Sequence, residues 1–220
     1  MNTKVEVETY NVLSLRNLTE STYILRFSRE GMQFKPGQHL VVGLPGSGEY
    51  REYSIYSGKH DDFLEILVKE VEDGMVSRQL RMLKPGDKVE VRGPYGFFMT
   101  DIDKIADNPV CLIASGTGIA PFHSLIRSNS EVKYQIIHGV KKAEEGYELD
   151  QYTRNSYILC TSRDESGDYY GRLTDYLLEN DINPESRVYL CGNSNMIFDA
   201  MDILHAKGIP QRNIFTEVYF

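Results

Sequence analysis

The chain has 220 residues, enough for one large domain or two small ones. Hydrophobic residues make up 41% of it, ample for a core, and the net charge of −8 argues against a nucleic-acid partner. No apolar run approaches the length of a membrane span, and the 3 scattered cysteines, Cys111, Cys160 and Cys191, have no metal-ligand spacing and cannot hold a four-cysteine iron–sulfur cluster.

Charge divides unevenly, with a net of −1 over residues 1–100 and −7 over residues 101–220, which points to two domains of different character. The first 99 residues read as short strands rich in β-branched, aromatic and aliphatic side chains: Lys4–Ser14, Thr22–Phe27, His39–Leu44, Tyr53–Tyr56, Phe63–Val71 and Lys88–Arg92. Turn signals separate them, among them Lys35-Pro36-Gly37 and Lys84-Pro85-Gly86-Asp87. Short strands at such spacing predict an antiparallel β-barrel, with one helix, Val76–Leu83, opening near Gly74. Polar residues 100–108 (TDIDKIADN) read as a linker.

From residue 109 the pattern alternates. Strands are predicted at Val110–Ala114, Lys133–Val140, Ser156–Thr161, Arg187–Cys191 and Asn213–Tyr219. Helices are predicted from Pro121, near Leu173–Glu179 and near Met196–His205, the last capped by Asn193 or Ser194 and closed by Gly208. Such alternation is that of an α/β parallel sheet, in which ligands bind outside the carboxyl ends of the strands. That rim would carry Gly116, Thr117, Lys141, Ser162, Arg163, Cys191 and Gly192.

The stretch CLIASGTGIAPF (Cys111–Phe122) reads as strand, glycine turn and helix start. This geometry offers free backbone N–H groups and the positive end of a helix dipole to a phosphate, although a glycine turn also serves as a plain tight connection. Gly116-x-Gly118 is present, but Pro121 stands where a dinucleotide fingerprint has its third glycine. An NAD site carries an Asp or Glu for the ribose hydroxyl about 20 residues further on. Here Lys141 and Lys142 stand at the end of the next strand, and a positive group suits a 2′-phosphate, hence NADP. In the first half, strand alternation places Arg51 and Tyr53 of Arg51-Glu52-Tyr53-Ser54 on one face, where a cation beside an aromatic plane could hold a phosphate and a flat ring; an exposed surface strand is the plainer alternative. The segment Lys69–Ser77 (KEVEDGMVS) repeats the geometry of strand, glycine and helix start.

Taken together and in order, REYS, DGMVS, GPYGFF, SGTGIAPF, the TSR…GR pair, CGN and the terminal EVYF resemble the ferredoxin–NADP reductase family, most closely its compact bacterial ferredoxin/flavodoxin reductases. The resemblance covers nearly the whole chain. It implies an FAD-binding barrel (1–99), a linker (100–108) and an NADP-binding α/β domain (109–220). It also implies an enzyme that passes electrons between NADP(H) and a small acidic carrier, ferredoxin or flavodoxin, by hydride transfer at flavin N5. By motif match, Arg51 would hold the flavin pyrophosphate, Tyr53 would stack on the isoalloxazine, and Ser54 would hydrogen-bond near N5. Gly74, Met75, Val76 and Ser77 would add pyrophosphate contacts. Strict alternation turns Ser54 away from Tyr53, so this assignment requires the strand to end or twist there.

Gly116, Thr117 and Gly118 would line the NADP pyrophosphate, and Ser162, Arg163 and Arg172 match positions that read the 2′-phosphate. Lys141 stands where the compact members have an arginine, which keeps the charge and loses the bidentate fork. Cys191, with Gly192 beside it, and Glu217 match residues near the nicotinamide and N5. Tyr219 matches the aromatic that covers the flavin, and Phe220 stands where a tryptophan packs on the FAD adenine. The expected form is a cytoplasmic monomer without metal or membrane insertion. A flavin reductase, a reductase component of an oxygenase and a non-catalytic relay subunit are the alternatives.

Overall fold

The computed structural model describes residues 8–72, 74–99, 102 and 110–219. Phe220, Asp73, the expected strand residues 4–7 and all of the expected linker except Ile102 lie outside the described residues. The chain divides into two compact units, residues 1–100 with 120–128, and residues 101–119 with 129–220.

The first unit contains β1 (Glu8–Asn17), β2 (Thr22–Ser28), β3 (His39–Gly43), β4 (Tyr50–Ser54), β5 (Phe63–Lys69), α1 (Met75–Arg81) and β6 (Lys88–Tyr95). Its strands run in the order β4-β3-β6-β1-β2-β5, every pair antiparallel. An antiparallel bridge between Ile55 and Ile66, with Tyr56 N–H donating to Glu65 C=O at 2.8 Å, joins the two edge strands and closes the barrel. Closure removes the exposed edges that an open sheet would present. Tyr10, Leu25, Phe27, Leu40, Val42, Ile66, Val89 and Val91 fill the interior. Beside it, Glu65 is buried and held by Arg26, whose guanidinium also lies 3.7 Å over the Phe63 ring. A buried carboxylate needs such a partner, because ionisation without one costs several kcal/mol, on the order of what the fold can supply.

The second unit contains β7 (Val110–Ser115), β8 (Tyr134–Val140), β9 (Tyr157–Thr161), β10 (Tyr169–Tyr170), α3 (Leu173–Glu179), β11 (Arg187–Asn193), α4 (Ser194–Ala206) and β12 (Ile214–Tyr219). The strands are all parallel, in the order β10-β9-β8-β7-β11-β12. Strand order therefore reverses between β7 and β11, the topological switch point where open α/β sheets bind ligands. Ile113, Ile137, Val188 and Leu190 pack under Leu173 and Leu177 of α3 and Ile197 and Leu204 of α4. The Asn193 side chain caps α4 by accepting from the amides of Asn195 and Met196, and Gly208 follows its end at φ +86°.

The remaining helix, α2 (Ala120–Ser128), follows the glycine turn in sequence and groups with the barrel. The His123 ring stacks on Tyr56 at 3.7 Å and its Nδ1 bonds the Tyr56 carbonyl at 2.7 Å. Ser124 Oγ donates to Ser57 C=O at 2.7 Å, Ser128 Oγ accepts from Lys59 N–H at 2.8 Å, and Arg127 pairs with Asp61 at 3.0 Å. The ring of Phe98, from the GPYGFF motif, lies 6.2 Å from that of Phe122. The short strand β10 has no counterpart among the sequence expectations; two residues are too few to give a pattern.

Candidate functional site

In the barrel unit, Leu40 stands opposite Tyr53 and Val42 opposite Arg51, so these last two residues share a face, as alternation requires. Tyr53 is half-buried. Burial pushes its phenol up to about 12, opposed by the charge of Arg51. Arg51 is 60% exposed; its Nη1 donates to its neighbour's carbonyl, Tyr50, at 2.7 Å. β4 ends at the buried Ser54, where backbone pairing passes from β3 to β5. Ser54 thus sits at the strand end, on the face opposite to Tyr53.

The start of α1 lies against this region through a residue that sequence reasoning did not single out. Tyr23 Oη donates to Ser77 C=O at 2.5 Å, and the Tyr23 phenol, raised first by burial, is raised further by its proximity to Tyr53. Ser77 Oγ donates to Gly74 C=O at 3.2 Å and accepts from Val71 N–H at 3.2 Å, closing the turn in front of the helix. The first intrahelical bond runs from Arg78 N–H to Gly74 C=O, and no side chain caps the end. The amides of Met75, Val76 and Ser77 therefore precede the helical ladder, as first-turn amides do. Uncapped amides, an exposed guanidinium and a half-buried aromatic ring fit a pyrophosphate joined to a flat ring system.

In the second unit the switch point is lined by glycines with separate reasons for being glycine. A Cβ at Gly118 would overlap the carbonyl oxygen of Cys191, and one at Gly192 would overlap Ser115 Oγ. Both allow the ends of β7 and β11 to approach closely, and Asn193 N–H donates to Ser115 Oγ at 2.9 Å across the gap. Gly116 has open space around it but a φ of +53°, which disfavours other residues. Gly116–Ile119 form a 3-10 turn that leads into α2.

His138 on β8, also unmarked by the sequence, is buried beneath this turn. Its Nε2 lies 2.8 Å from Gly116 C=O and its Nδ1 2.5 Å from Tyr157 Oη. A carbonyl can only accept, so Nε2 carries the hydrogen and Nδ1 accepts from the tyrosine. One neutral tautomer satisfies both bonds, and burial lowers the imidazole pKa to about 4.

Four expected residues meet on the rim beside the turn. Ser162 N–H donates to Val140 C=O at 3.1 Å, Arg163 N–H to Lys141 C=O at 2.9 Å, and Gly171 N–H to Thr161 C=O at 2.9 Å. These bonds draw Lys141, Ser162, Arg163 and Arg172 to adjoining strand ends. On the other side, Cys191 stands in register with Ala114 and Glu217. Its thiol is fully buried and held well above its ordinary pKa, first by burial and then by the Glu217 carboxylate, against a hydrogen bond from Tyr219. Cys191, Glu217 and Tyr219 are thus one cluster in the second unit, while Ser54 belongs to the first. Among the described residues no group of three or more His, Cys, Asp or Glu side chains is placed to hold a metal, and no helix is long and apolar enough to cross a membrane.

Comparison with known proteins finds two domain families along the chain, the second of which includes α2. Residues 9–99 match the oxidoreductase FAD-binding domain family and residues 112–202 the oxidoreductase NAD-binding domain family. The chain is 31% identical to the sulfhydrogenase 1 subunit gamma of Pyrococcus furiosus over 96% of its own length and 77% of that protein. It is 29% identical to the ferredoxin–NADP reductase of Azotobacter vinelandii, covering 90% of this chain and 89% of that one. It is 30% identical to the toluate 1,2-dioxygenase electron transfer component of Pseudomonas putida, covering 94% of this chain and 66% of that protein. Against the propane 2-monooxygenase reductase component of Rhodococcus jostii it spans 62% of the relative's length. The fold superposes on a ferredoxin NADP+ reductase from Neisseria gonorrhoeae with a TM-score of 0.85 at 24% identity, covering 99% of this chain and 100% of that one.

Proposed function

This chain belongs to the ferredoxin–NADP reductase family, and on that premise we propose that it is an FAD-dependent oxidoreductase that exchanges electrons between NADP(H) and a small one-electron carrier. The observation that carries the coenzyme assignment is the rim of the parallel sheet. The glycine turn sits at the switch point, and the cationic residues Lys141, Arg163 and Arg172 are gathered beside it. A dianionic 2′-phosphate is the ligand such a group of cations suits, and Arg supplies a bidentate fork for it.

Gly116, Thr117 and Gly118 cradle the coenzyme pyrophosphate through backbone amides, and the close approach of Gly118 and Gly192 to their neighbours fixes the width of that cradle. In the barrel, Arg51 and the amides of Gly74–Ser77 hold the flavin pyrophosphate, and Tyr53 packs on the isoalloxazine. When bound, the flavin supplies the chemistry, accepting hydride at N5 and releasing electrons singly. Ser54 offers a hydroxyl toward N5. Cys191, kept as the neutral thiol, and Glu217 would orient the nicotinamide, and Tyr219 would be the aromatic that covers the flavin.

The acceptor is an acidic ferredoxin or flavodoxin in this reading, with a cytoplasmic monomer as the working form. A second reading, the reductase component of an oxygenase, is favoured by the similarity to the toluate and propane oxygenase components. Reduction of candidate acceptors by the NADPH-driven protein separates them. The first reading expects rapid reduction of ferredoxin or flavodoxin with tightly held FAD. Turnover only with free flavin, or only with an oxygenase partner, contradicts it.

A further inference from the structure

The rim that carries the cations also carries carboxylates, and their hydrogen bonds show an unexpected division of labour. Glu145 Oε2 accepts from the backbone N–H of Lys141 at 2.8 Å and of Lys142 at 3.4 Å. Asp164 Oδ2 accepts from Ala143 N–H at 2.9 Å and its Oδ1 from Ser166 N–H at 3.1 Å. Asp175 Oδ2 accepts from Arg172 N–H at 3.0 Å. Among the described residues, the ion pair recorded here joins Lys142 to Glu144 at 3.9 Å, and none engages the side chains of Lys141, Arg163 or Arg172.

Carboxylates that could neutralise the cations instead grip the main chain. Lys141 is fixed from both sides, its N–H by Glu145 and its C=O by the amide of Arg163. Asp164 ties the turn after β8 to the loop after β9, and Thr161 Oγ1 donates to the Asp164 carbonyl at 2.7 Å, anchoring Asp164 itself. The amides of Ala143 and Ser166 hold the Asp164 carboxyl below its ordinary range. The arrangement fixes where Lys141 and Arg163 leave the backbone and keeps the acids from competing with an incoming anion.

We propose that Glu145 and Asp164 are positioning residues for 2′-phosphate recognition, holding the backbone of Lys141 and its neighbours through amide bonds while leaving the cationic side chains free for the coenzyme. This rests on the NADP reading above. It makes a counterintuitive prediction about sign. Each carboxylate is a negative charge near a bound dianion, so electrostatics alone would have its removal tighten binding. Positioning requires the reverse wherever the amide acceptor is lost.

The test is calorimetric titration of the flavin-loaded protein with 2′-phospho-AMP and with AMP, for the wild type and for Glu145→Ala, Glu145→Gln and Asp164→Ala. Glutamine keeps an oxygen for the two lysine amides and removes the charge. Glu145→Ala and Asp164→Ala are expected to weaken 2′-phospho-AMP roughly tenfold with AMP unchanged, the scale on which support of a binding residue acts. Glu145→Gln is expected to bind at least as tightly as the wild type. The proposal is overturned if the alanine variants bind 2′-phospho-AMP as well as or better than the wild type, if Glu145→Gln loses as much as Glu145→Ala, or if AMP and 2′-phospho-AMP weaken together. A wild type that binds the two probes equally overturns the NADP reading itself, which is a separate result. Unchanged thermal midpoints and flavin content show that the variants are folded.

Discussion

Lowering the pH should destabilise the second unit through a single imidazole. His138 satisfies Gly116 C=O and Tyr157 Oη only as the neutral tautomer with hydrogen on Nε2. Protonation places a second hydrogen on Nδ1, against the tyrosine O–H that donates there, and charges a fully buried group. The folded-state pKa is lowered to about 4, against about 6.5 in the unfolded chain. Between those values the unfolded state binds more protons, so stability falls as pH falls from above 6.5 toward 4 and the contribution levels off below that. From pH 7.5 to pH 5.0 the two pKa values give a loss of about 2 kcal/mol from this residue alone. The control is His138→Gln, whose amide can still donate to Gly116 C=O and does not titrate. Urea unfolding followed by far-UV circular dichroism at both pH values gives the difference by linear extrapolation. Other groups titrate in both proteins and cancel. The wild type should lose about 2 kcal/mol more than the variant over this interval. Parallel losses in the two proteins would refute the buried neutral imidazole.

The glycines of the switch point should respond differently to the same substitution. Gly118→Ala drives a methyl group into the Cys191 carbonyl and should cost about 1–3 kcal/mol and most of the NADP affinity, whereas Gly116→Ala meets open space and should cost only the left-handed backbone, about 1–2 kcal/mol; unfolding and NADP titration of both variants check this. Arg51→Ala should weaken FAD at least about tenfold, with little change in stability because the side chain is mostly exposed, read by flavin fluorescence on dilution. Removing Tyr219 and Phe220 should change coenzyme affinity and narrow the difference between NADPH and NADH, and unchanged kinetics with both coenzymes would remove these residues from the mechanism.

Much of the local structure around the candidate site could be read from the sequence because its signals are local. The SGTG turn, the Arg51/Tyr53 alternation and the helix start after Gly74 depend on neighbours a few residues away. The Asn193 cap and Gly208 stop of α4 are equally local, and the helix begins at the capped position. What escaped depends on partners far along the chain. His138 is defined by a carbonyl 22 residues back and a hydroxyl 19 residues ahead, neither visible as a pattern. Tyr23 reaches Ser77 across 54 residues. A helix after β7 is legible, but its attachment to Tyr56 and Ser57, 67 residues earlier, is not, because nothing in an amphipathic pattern names the surface it meets. Glu145 and Asp164 read as ordinary loop acids, since side-chain bonds to main-chain amides leave no mark in composition.

The most direct test of the central claim is anaerobic reduction of the flavin-loaded protein by stoichiometric NADPH and, separately, by NADH, followed in the visible spectrum by stopped flow. The account predicts a flavin spectrum that bleaches much faster with NADPH, and a loss of that advantage when Lys141, Arg163 and Arg172 are replaced together by alanine. Faster reduction by NADH, or a protein that takes up no FAD, would contradict it.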